Sequence, residues 1–192
     1  MNEILNKEMF GKYMELLEKW QQKINLVSDG SVGAAWIRHF EDSLSLYEFI
    51  KDHRSEKIFD IGSGAGFPGM ALAIAGIQNM TLVEADNRKC IFLEEVRRVY
   101  NINVEIINER VEELVVDGGV GCIIGRAFAP LNKFLKLCER LIGDETITYL
   151  LKGQNINNEI KIAKKNWDFN HILHDKNGGY VLKINNIKKN PY

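Results

Sequence analysis

A glycine-rich loop is the part of the sequence best suited to binding a small molecule. It lies in "IFDIGSGAGFPGMALAI", from Ile58 to Ile74, where one apolar stretch runs into glycines and a second follows. Gly64, Gly66 and Gly69 follow the G-x-G-x-x-G spacing of dinucleotide-binding folds, in which glycines let the backbone turn tightly and approach a ligand. The spacing predicts a cofactor site and leaves the identity of the cofactor open.

Two carboxylates near the loop narrow the choice of cofactor. Asp60 precedes Gly62, where a negative charge is unfavourable beside a diphosphate but compatible with the sulfonium and ammonium groups of S-adenosylmethionine. Glu84, in "LVEAD", follows the next apolar stretch and can accept hydrogen bonds from both hydroxyls of an adenosine ribose. Glu84 fits NAD equally well. Asp60, the helical N-terminus and a closing hairpin together favour S-adenosylmethionine and therefore a methyltransferase.

The elements that would position these residues alternate between strand and helix from Lys57 onward. Strands are predicted at Lys57–Ile61, Met80–Glu84, Val104–Asn108, Gly121–Gly125 and Thr146–Leu151, and helices at Pro68–Ala75, Arg88–Tyr100, Asn132–Leu141 and Ile156–Asn166, with a turn at Arg110–Leu114. Two further strands, Phe169–Leu173 and Tyr180–Ile187, flank strong turn formers and predict an antiparallel hairpin. The predicted fold is α/β: a doubly wound, mostly parallel, seven-stranded, Rossmann-like sheet.

The first fifty residues are predicted to be helical. One apolar stripe recurs at a spacing of three to four residues, and Ser31 can cap a second helix. The stripe contains Phe10, Tyr13, Leu16, Leu17, Trp20 and Ile24, and the second helix contains Trp36, Phe40, Leu44 and Tyr47. We therefore expect a single domain over residues 1–192, with a helical extension (1–50) before an α/β cofactor-binding core (57–192).

The composition is that of an ordinary globular domain. No apolar run approaches the roughly 20 residues that span a bilayer, and "MNEILNKEMF" is unlike a secretory signal, so the expected location is the cytoplasm. Three cysteines, Cys90, Cys122 and Cys138, stand far apart and are expected to be buried. His171 and His174 fall on opposite faces of a predicted strand, so no metal site is predicted.

The charge is unevenly distributed along the chain. The formal net charge is −1, yet eight lysines and three acidic residues lie between Lys152 and Tyr192. Such a segment can form a basic face for a polyanion, or it can be an ordinary solvated helix surface.

Missing motifs narrow the group that would be methylated. Enzymes that methylate amino groups of nucleic acids usually carry (N/D/S)-P-P-(Y/F) after the fourth strand, where this chain has "RAFAP". Methylation of cytosine C5 needs a nucleophilic cysteine, and Cys122 lies within an apolar strand. Nitrogens with an unshared electron pair, which need neither a covalent nucleophile nor a base, remain among the candidates.

The chain resembles the ribosomal RNA small subunit methyltransferase G family, also called glucose-inhibited division protein B. The resemblance implies a class I S-adenosylmethionine-dependent methyltransferase that acts on guanine N7 in small-subunit (16S) ribosomal RNA near the decoding centre. The expected partner is this RNA or the assembled small subunit, with no membrane, and the protein is expected to be a monomer. The matching segments are "INLVS" (Ile24–Ser28), "WIRHFEDSLSL" (Trp36–Leu46), "FDIGSGAGFPGMALAI" (Phe59–Ile74), "LVEADNRKCIFLEEV" (Leu82–Val96), "ERVEEL" (Glu109–Leu114), "GRAFAPL" (Gly125–Leu131) and "LLKG" (Leu150–Gly153).

The resemblance also implies which residues contact the cofactor. They are Gly62, Phe67, Val111, Glu112 and Arg126, with adenine beside "RVEE" and the methionine end beside Arg126. Phe67 stands where other members have leucine. No catalytic residue is predicted except Arg126 as a candidate, and the alternative for Arg126 is a structural ion pair.

A second matching segment lies near the N-terminus. Arg38, His39 and Asp42 match the family's "RH..DS" and either contact RNA or brace the helices.

Methylation of guanine N7 needs little acid–base chemistry. N7 carries an electron pair and no proton, so the protein has to align N7, the methyl carbon and the sulfur, and positioning alone can supply most of the acceleration. Two alternatives stay open from the sequence: a methyltransferase for a small molecule or a protein, and a dinucleotide-dependent reductase.

Overall fold

The N-terminal part of the chain is helical, as the apolar spacing predicts. The computed structural model describes residues 7–26, 36–53, 57–117, 119–176 and 178–191. Helix α1 spans Lys7–Gln21, a π-helix spans Trp36–Glu41, and two short helices follow, α2 at Asp42–Leu44 and α3 at Tyr47–Ile50. Ser31, the expected cap of the second helix, lies outside the described residues.

The described residues from Lys57 onward contain a seven-stranded sheet. Its order is β3-β2-β1-β4-β5-β7-β6, with β7 antiparallel to both neighbours and the other pairs parallel. This confirms the predicted doubly wound sheet that ends in an antiparallel hairpin. The strands are β1 Ile58–Ile61, β2 Met80–Val83, β3 Glu105–Ile107, β4 Cys122–Arg126, β5 Ile147–Lys152, β6 Trp167–Lys176 and β7 Gly179–Lys189.

Helices cover both faces of the sheet. They are α4 Gly69–Ile74, α5 Asn87–Tyr100, α6 Leu131–Leu137 and α7 Ile156–Ala163, with 3-10 turns at Val111–Glu113 and Glu139–Leu141. Helices α1 to α5 contribute to one apolar cluster, and α6 and α7 contribute to the other. Strands β1, β2 and β4 are buried on both faces, which is typical of parallel strands and explains their unbroken apolar sequences.

Helix α1 packs directly against the glycine loop. The hydroxyl of Tyr13 donates a hydrogen bond to the backbone oxygen of Ala65 at 2.5 Å, and its ring stacks on Phe67 with centroids 5.5 Å apart. Gly66 has φ +86°, and a Cβ there would lie 2.2 Å from the Tyr13 hydroxyl oxygen. The helical extension therefore forms part of the wall that shapes the loop.

Some boundaries differ from the predicted ones. Strands β6 and β7 extend beyond the predicted hairpin strands, because backbone pairing continues through polar residues at the sheet edge as far as Lys176 opposite Gly179. The predicted helix Asn132–Leu141 is divided at Cys138. All three cysteines are buried, as expected. Within the described ranges, no helix is long and apolar enough to cross a bilayer.

Candidate cofactor pocket

A pocket of about 330 Å³ opens at the carboxyl ends of the central parallel strands. This is the edge where open α/β sheets bind ligands, and the volume lies within the range of small-molecule sites. The lining combines the glycine loop, the end of β2, the first turn of α5, the 3-10 turn after β3 and the loop after β4. The lining residues are Gly62, Gly64, Val83, Glu84, Ala85, Lys89, Glu109, Arg110, Val111, Glu112, Arg126, Ala127 and Phe128.

Six of the eight residues predicted to bind the cofactor meet in this pocket. They are Gly62, Gly64, Glu84, Val111, Glu112 and Arg126. The order of the strands separates them: the 3-10 turn follows β3 at one end, Glu84 follows β2, the glycines follow β1, and Arg126 ends β4 at the other end.

Glu84 connects the end of β2 to the glycine loop. One carboxylate oxygen accepts a hydrogen bond from the backbone N–H of Gly64 at 2.8 Å, and the other accepts one from the N–H of Asp86 at 2.8 Å. Asp86 in turn caps helix α5 by accepting from the N–H of Arg88. The carboxylate predicted to hold a ribose thus also fixes the loop against the adjacent strand.

Asp60 and Phe67, the other two predicted cofactor contacts, lie behind the loop. Because side chains alternate between the two faces of β1, Asp60 points toward helix α4. There its Oδ2 accepts a hydrogen bond from the N–H of Gly69 at 2.9 Å. Phe67 packs against Tyr13 and Phe40. The side chains of Asp60 and Phe67 therefore support the loop from behind, and any direct contact of these residues with the cofactor would be made by their backbone atoms.

The buried carboxyl of Asp60 has unusual electrostatics. Burial raises its pKa to about 7, although the hydrogen bond from Gly69 and the charge of Arg126 lower it. Among the described residues, its Oδ1 is buried and has no hydrogen-bond partner. An acid in these surroundings is readily protonated near neutral pH.

Arg126 connects the pocket to the N-terminal helices. Its Nη2 lies 2.6 Å from Nδ1 of the buried His39, and its Nη1 lies 3.7 Å from Oδ2 of Asp42. The guanidinium also lies over the ring of Phe67, 5.4 Å from the centroid, and His39 stacks on the same ring. Asp42 forms a second ion pair with Lys176 of β6. Both predicted roles of Arg126 are therefore compatible with the geometry, because it lines the pocket and forms an ion pair.

His39 and Asp42 of the "RH..DS" segment are thus joined to the site through Arg126. The alternative that they brace the helices is supported by these contacts. Arg38 lies in the π-helix beside His39.

The loop after β4 is held by a second network. Lys152, at the end of β5, donates to the backbone oxygen of Ala129 and to Glu159, both at 2.8 Å. The same Glu159 oxygen accepts from the N–H of Leu131 at 2.8 Å. Ala127 has φ +51°, an uncommon conformation for a residue other than glycine. The "RAFAP" segment is therefore fixed in place at both of its ends.

Sequence reasoning missed several lining residues. Lys89, Glu109 and Arg110 reach the pocket because the first turn of α5 and the segment after β3 adjoin the end of β2. For Glu109 and Arg110, a usable signal was their position directly after a predicted strand, where parallel sheets place their ligand contacts. Lys89 lies within a predicted helix and had no such signal. Phe128 also lines the pocket, and its ring carbons occupy the space in which a Cβ at Gly62 would point.

The strand order, the glycine loop and the pocket at its edge define the class I S-adenosylmethionine-dependent methyltransferase fold. Solved structures share this fold. An O-methyltransferase described from Klebsiella pneumoniae aligns over 95% of this chain and 90% of its own, with a TM-score of 0.62 and 13% identity. A ribosomal protein L11 methylase from Lactobacillus delbrueckii covers 79% and 78%, with a TM-score of 0.59 and 13% identity. A T. thermophilus 16S rRNA methyltransferase solved with AdoMet and guanosine covers 76% and 42%, with a TM-score of 0.56 and 16% identity.

Comparison of sequences identifies the family. The model of the rRNA small subunit methyltransferase G family matches residues 6–183. Proteins named ribosomal RNA small subunit methyltransferase G are 42% identical in Rickettsia felis, over 97% of this chain and 96% of the relative, and 41% identical in Rickettsia typhi, over 91% of each. The chain belongs to the rRNA small subunit methyltransferase G family. It is an S-adenosylmethionine-dependent rRNA methyltransferase, and the activity of the family is methylation of guanine N7.

Proposed function

We propose that this protein transfers the methyl group of S-adenosylmethionine to N7 of a guanine near the decoding centre of small-subunit ribosomal RNA, as a cytoplasmic monomer. The observation that carries the proposal is the order of the pocket residues along the sheet edge. Adenine would lie beside Val111 and Glu112, the ribose hydroxyls beside Glu84, and the methionine end beside Gly62 and Arg126. The methyl group would then face the β4 side of the pocket.

Each end of the pocket suits the part of the cofactor assigned to it. Val111 offers a buried apolar side chain for a ring, and the carboxylate of Glu84 can accept hydroxyl hydrogens in addition to its two backbone bonds, because each oxygen has two lone pairs. The guanidinium of Arg126 can pair with the cofactor carboxylate through its planar fork.

The chemistry requires orientation more than proton transfer. Guanine N7 attacks the methyl carbon with its own electron pair, the carbon–sulfur bond breaks, and its electrons remain on sulfur as the neutral thioether. The positive charge passes from sulfur to the guanine ring, so a carboxylate or carbonyl oxygen close to that ring would stabilise the product. Effective molarities of roughly 10⁵–10⁸ M for well-oriented groups make alignment sufficient as the main contribution.

The test is methylation in vitro with mapping of the modified base. The purified protein and labelled S-adenosylmethionine are incubated with small-subunit rRNA and, separately, with assembled small subunits, both from cells that lack this gene. We expect one N7-methylguanine near the decoding centre. RNA from cells that carry the gene is the matched control and should take up no label. Label at another base, or equal label in both RNAs, contradicts the proposal.

A further inference from the structure

Phe128 presents an aromatic ring at the mouth of the cofactor pocket. It lines the pocket and keeps 38% of its surface exposed. The large apolar side chains that are exposed in the described part of the chain are Met9, Ile91, Val115, Phe128, Ile162 and Ile172, and Phe128 is the aromatic one among them. A single exposed apolar side chain is common at a protein surface, so the informative feature of Phe128 is that its ring lines the pocket.

The ring is held in position before any ligand arrives. Its inner side lies against Gly62, where a Cβ would come within 2.2 Å of the ring, and its edge meets Phe134 at 84° with centroids 6.1 Å apart. The backbone on its C-terminal side is fixed by the hydrogen bond from Lys152 to Ala129. A ring held in this way loses little conformational freedom when a flat ligand stacks on it.

The position of Phe128 matches the end of the pocket where methyl transfer is expected. It lies two residues after Arg126 at the end of β4, and β4 is separated by β1 and β2 from the 3-10 turn assigned to adenine. An acceptor base that approaches the methyl group from the β4 side therefore meets this ring. The adenine of the cofactor is assigned to the opposite end.

We propose that Phe128 is the stacking platform for the target guanine. The inference rests on the proposed function and adds the residue that receives the acceptor base. Unpaired RNA bases are recognised by stacking on aromatic side chains, and a base that reacts inside a pocket must first leave its own stack. The ring compensates for the lost stacking and sets the plane of the guanine, so that N7 can point at the methyl carbon.

Single-turnover methylation of Phe128→Leu and Phe128→Tyr tests the proposal, with rRNA at several concentrations and N7 mapping of the product. Leucine keeps the apolar contact with Gly62 but has no ring, whereas tyrosine keeps the ring. We expect Phe128→Leu to lower kcat/KM for RNA about tenfold or more, as base–aromatic stacking energies imply, and Phe128→Tyr to stay close to the wild type. Ile172→Ala removes another exposed apolar side chain, on β6, and should change nothing.

Calorimetry with S-adenosylmethionine separates base binding from cofactor binding. We expect Phe128→Leu to bind the cofactor as the wild type does. The inference is overturned if Phe128→Leu methylates RNA normally, or if its cofactor affinity falls as much as its kcat/KM. Phe128→Met provides a second aliphatic variant if the leucine protein melts early. If the wild-type protein does not methylate N7 in rRNA, the proposed function itself is wrong. If the wild type methylates N7 and Phe128→Leu does so at the same rate, only the role of Phe128 is wrong.

Discussion

At the scale of single residues, the acidic side chains of the site have structural roles as well as the predicted binding roles. Glu84 accepts two backbone hydrogen bonds, from Gly64 and Asp86, and still lines the pocket. The sequence predicted its position from the end of an apolar strand. Its backbone partners could not be predicted, because they depend on how the glycine loop folds back toward β2.

Replacing Glu84 by alanine is expected to weaken S-adenosylmethionine about tenfold or more, because hydrogen bonds to a charged acceptor contribute roughly 1.5–3 kcal/mol each. Titration calorimetry measures this affinity. The melting temperature should also fall, since the N–H groups of Gly64 and Asp86 lose their acceptor. Glu113→Ala, in the same 3-10 turn as Glu112 but outside the pocket lining, is the matched control. Unchanged affinity in a folded Glu84→Ala protein contradicts the ribose assignment.

Asp60 makes folding stability depend on pH. Because burial raises its pKa to about 7 in the folded protein, against about 4 in an unfolded chain, the folded state binds the proton more tightly. The stabilisation from this group is complete below about pH 4 and is lost as the pH rises through about 7, at about 1.4 kcal/mol per pH unit within that window. Asp60→Asn carries no such proton.

Urea unfolding of both proteins between pH 4 and 8 measures the effect. The free energy of unfolding of the wild type, minus that of Asp60→Asn, should fall with rising pH across the window and level off above the folded-state pKa. Groups shared by the two proteins cancel in this difference. A difference that stays constant with pH contradicts the raised pKa of Asp60.

At the scale of elements, the N-terminal helices are joined to the chemistry at the end of β4. The apolar stripe predicted α1, but the hydrogen bond from Tyr13 to Ala65 and the pairing of His39 with Arg126 are tertiary contacts, which periodicity does not contain. The π-helix at Trp36–Glu41 was likewise outside the prediction, because a spacing of three to four residues favours a regular helix.

Arg126→Lys is expected to lower methyl transfer at least tenfold, about 1.4 kcal/mol of barrier, in single-turnover assays. Lysine keeps the positive charge beside Asp42. Its ammonium group lacks the planar shape by which the guanidinium contacts His39 and Phe67 and can at the same time pair with a cofactor carboxylate. The melting curve should stay close to that of the wild type, since the charge remains.

His39→Asn is the companion variant to Arg126→Lys, because its amide oxygen can replace Nδ1 as the acceptor for Arg126. It should retain more activity than His39→Phe, which keeps the stacking on Phe67 and removes the acceptor. If Arg126→Lys melts early yet transfers methyl groups normally per folded molecule, Arg126 is a structural ion-pair partner alone.

At the scale of the whole molecule, the alternation of strands and helices and the closing hairpin were the most predictable features. Apolar runs separated by helical spacing leave few topologies, and the hairpin was marked by Asn177, Gly178 and Gly179. The site was predictable where residues follow strands, as Glu84 and Arg126 do. The orientation of Asp60 and Phe67 was not, because a residue next to a loop can face either side of it.

The lysines that make the C-terminal part of the chain basic fall into two groups in the structure. Several of the C-terminal lysines form contacts within the protein: Lys152 with Glu159, Lys176 with Asp42, and Lys189 with Glu139. By contrast, Lys161, Lys164 and Lys165, around the end of α7, are exposed, and none of them forms an ion pair with an acidic side chain of the described residues. This cluster is on the sheet face opposite α1.

We predict that Lys161, Lys164 and Lys165 contact RNA phosphates. Replacing all three by glutamine should weaken rRNA binding and reduce the dependence of log K on log salt by roughly one unit for each lost contact, because each neutralised phosphate releases counterions. Filter binding at several salt concentrations measures the slope. The matched control replaces Lys12, Lys19 and Lys23, three exposed lysines on and just after α1, and should leave the slope unchanged. An unaltered slope in the α7 variant would instead identify these lysines as an ordinary solvated surface.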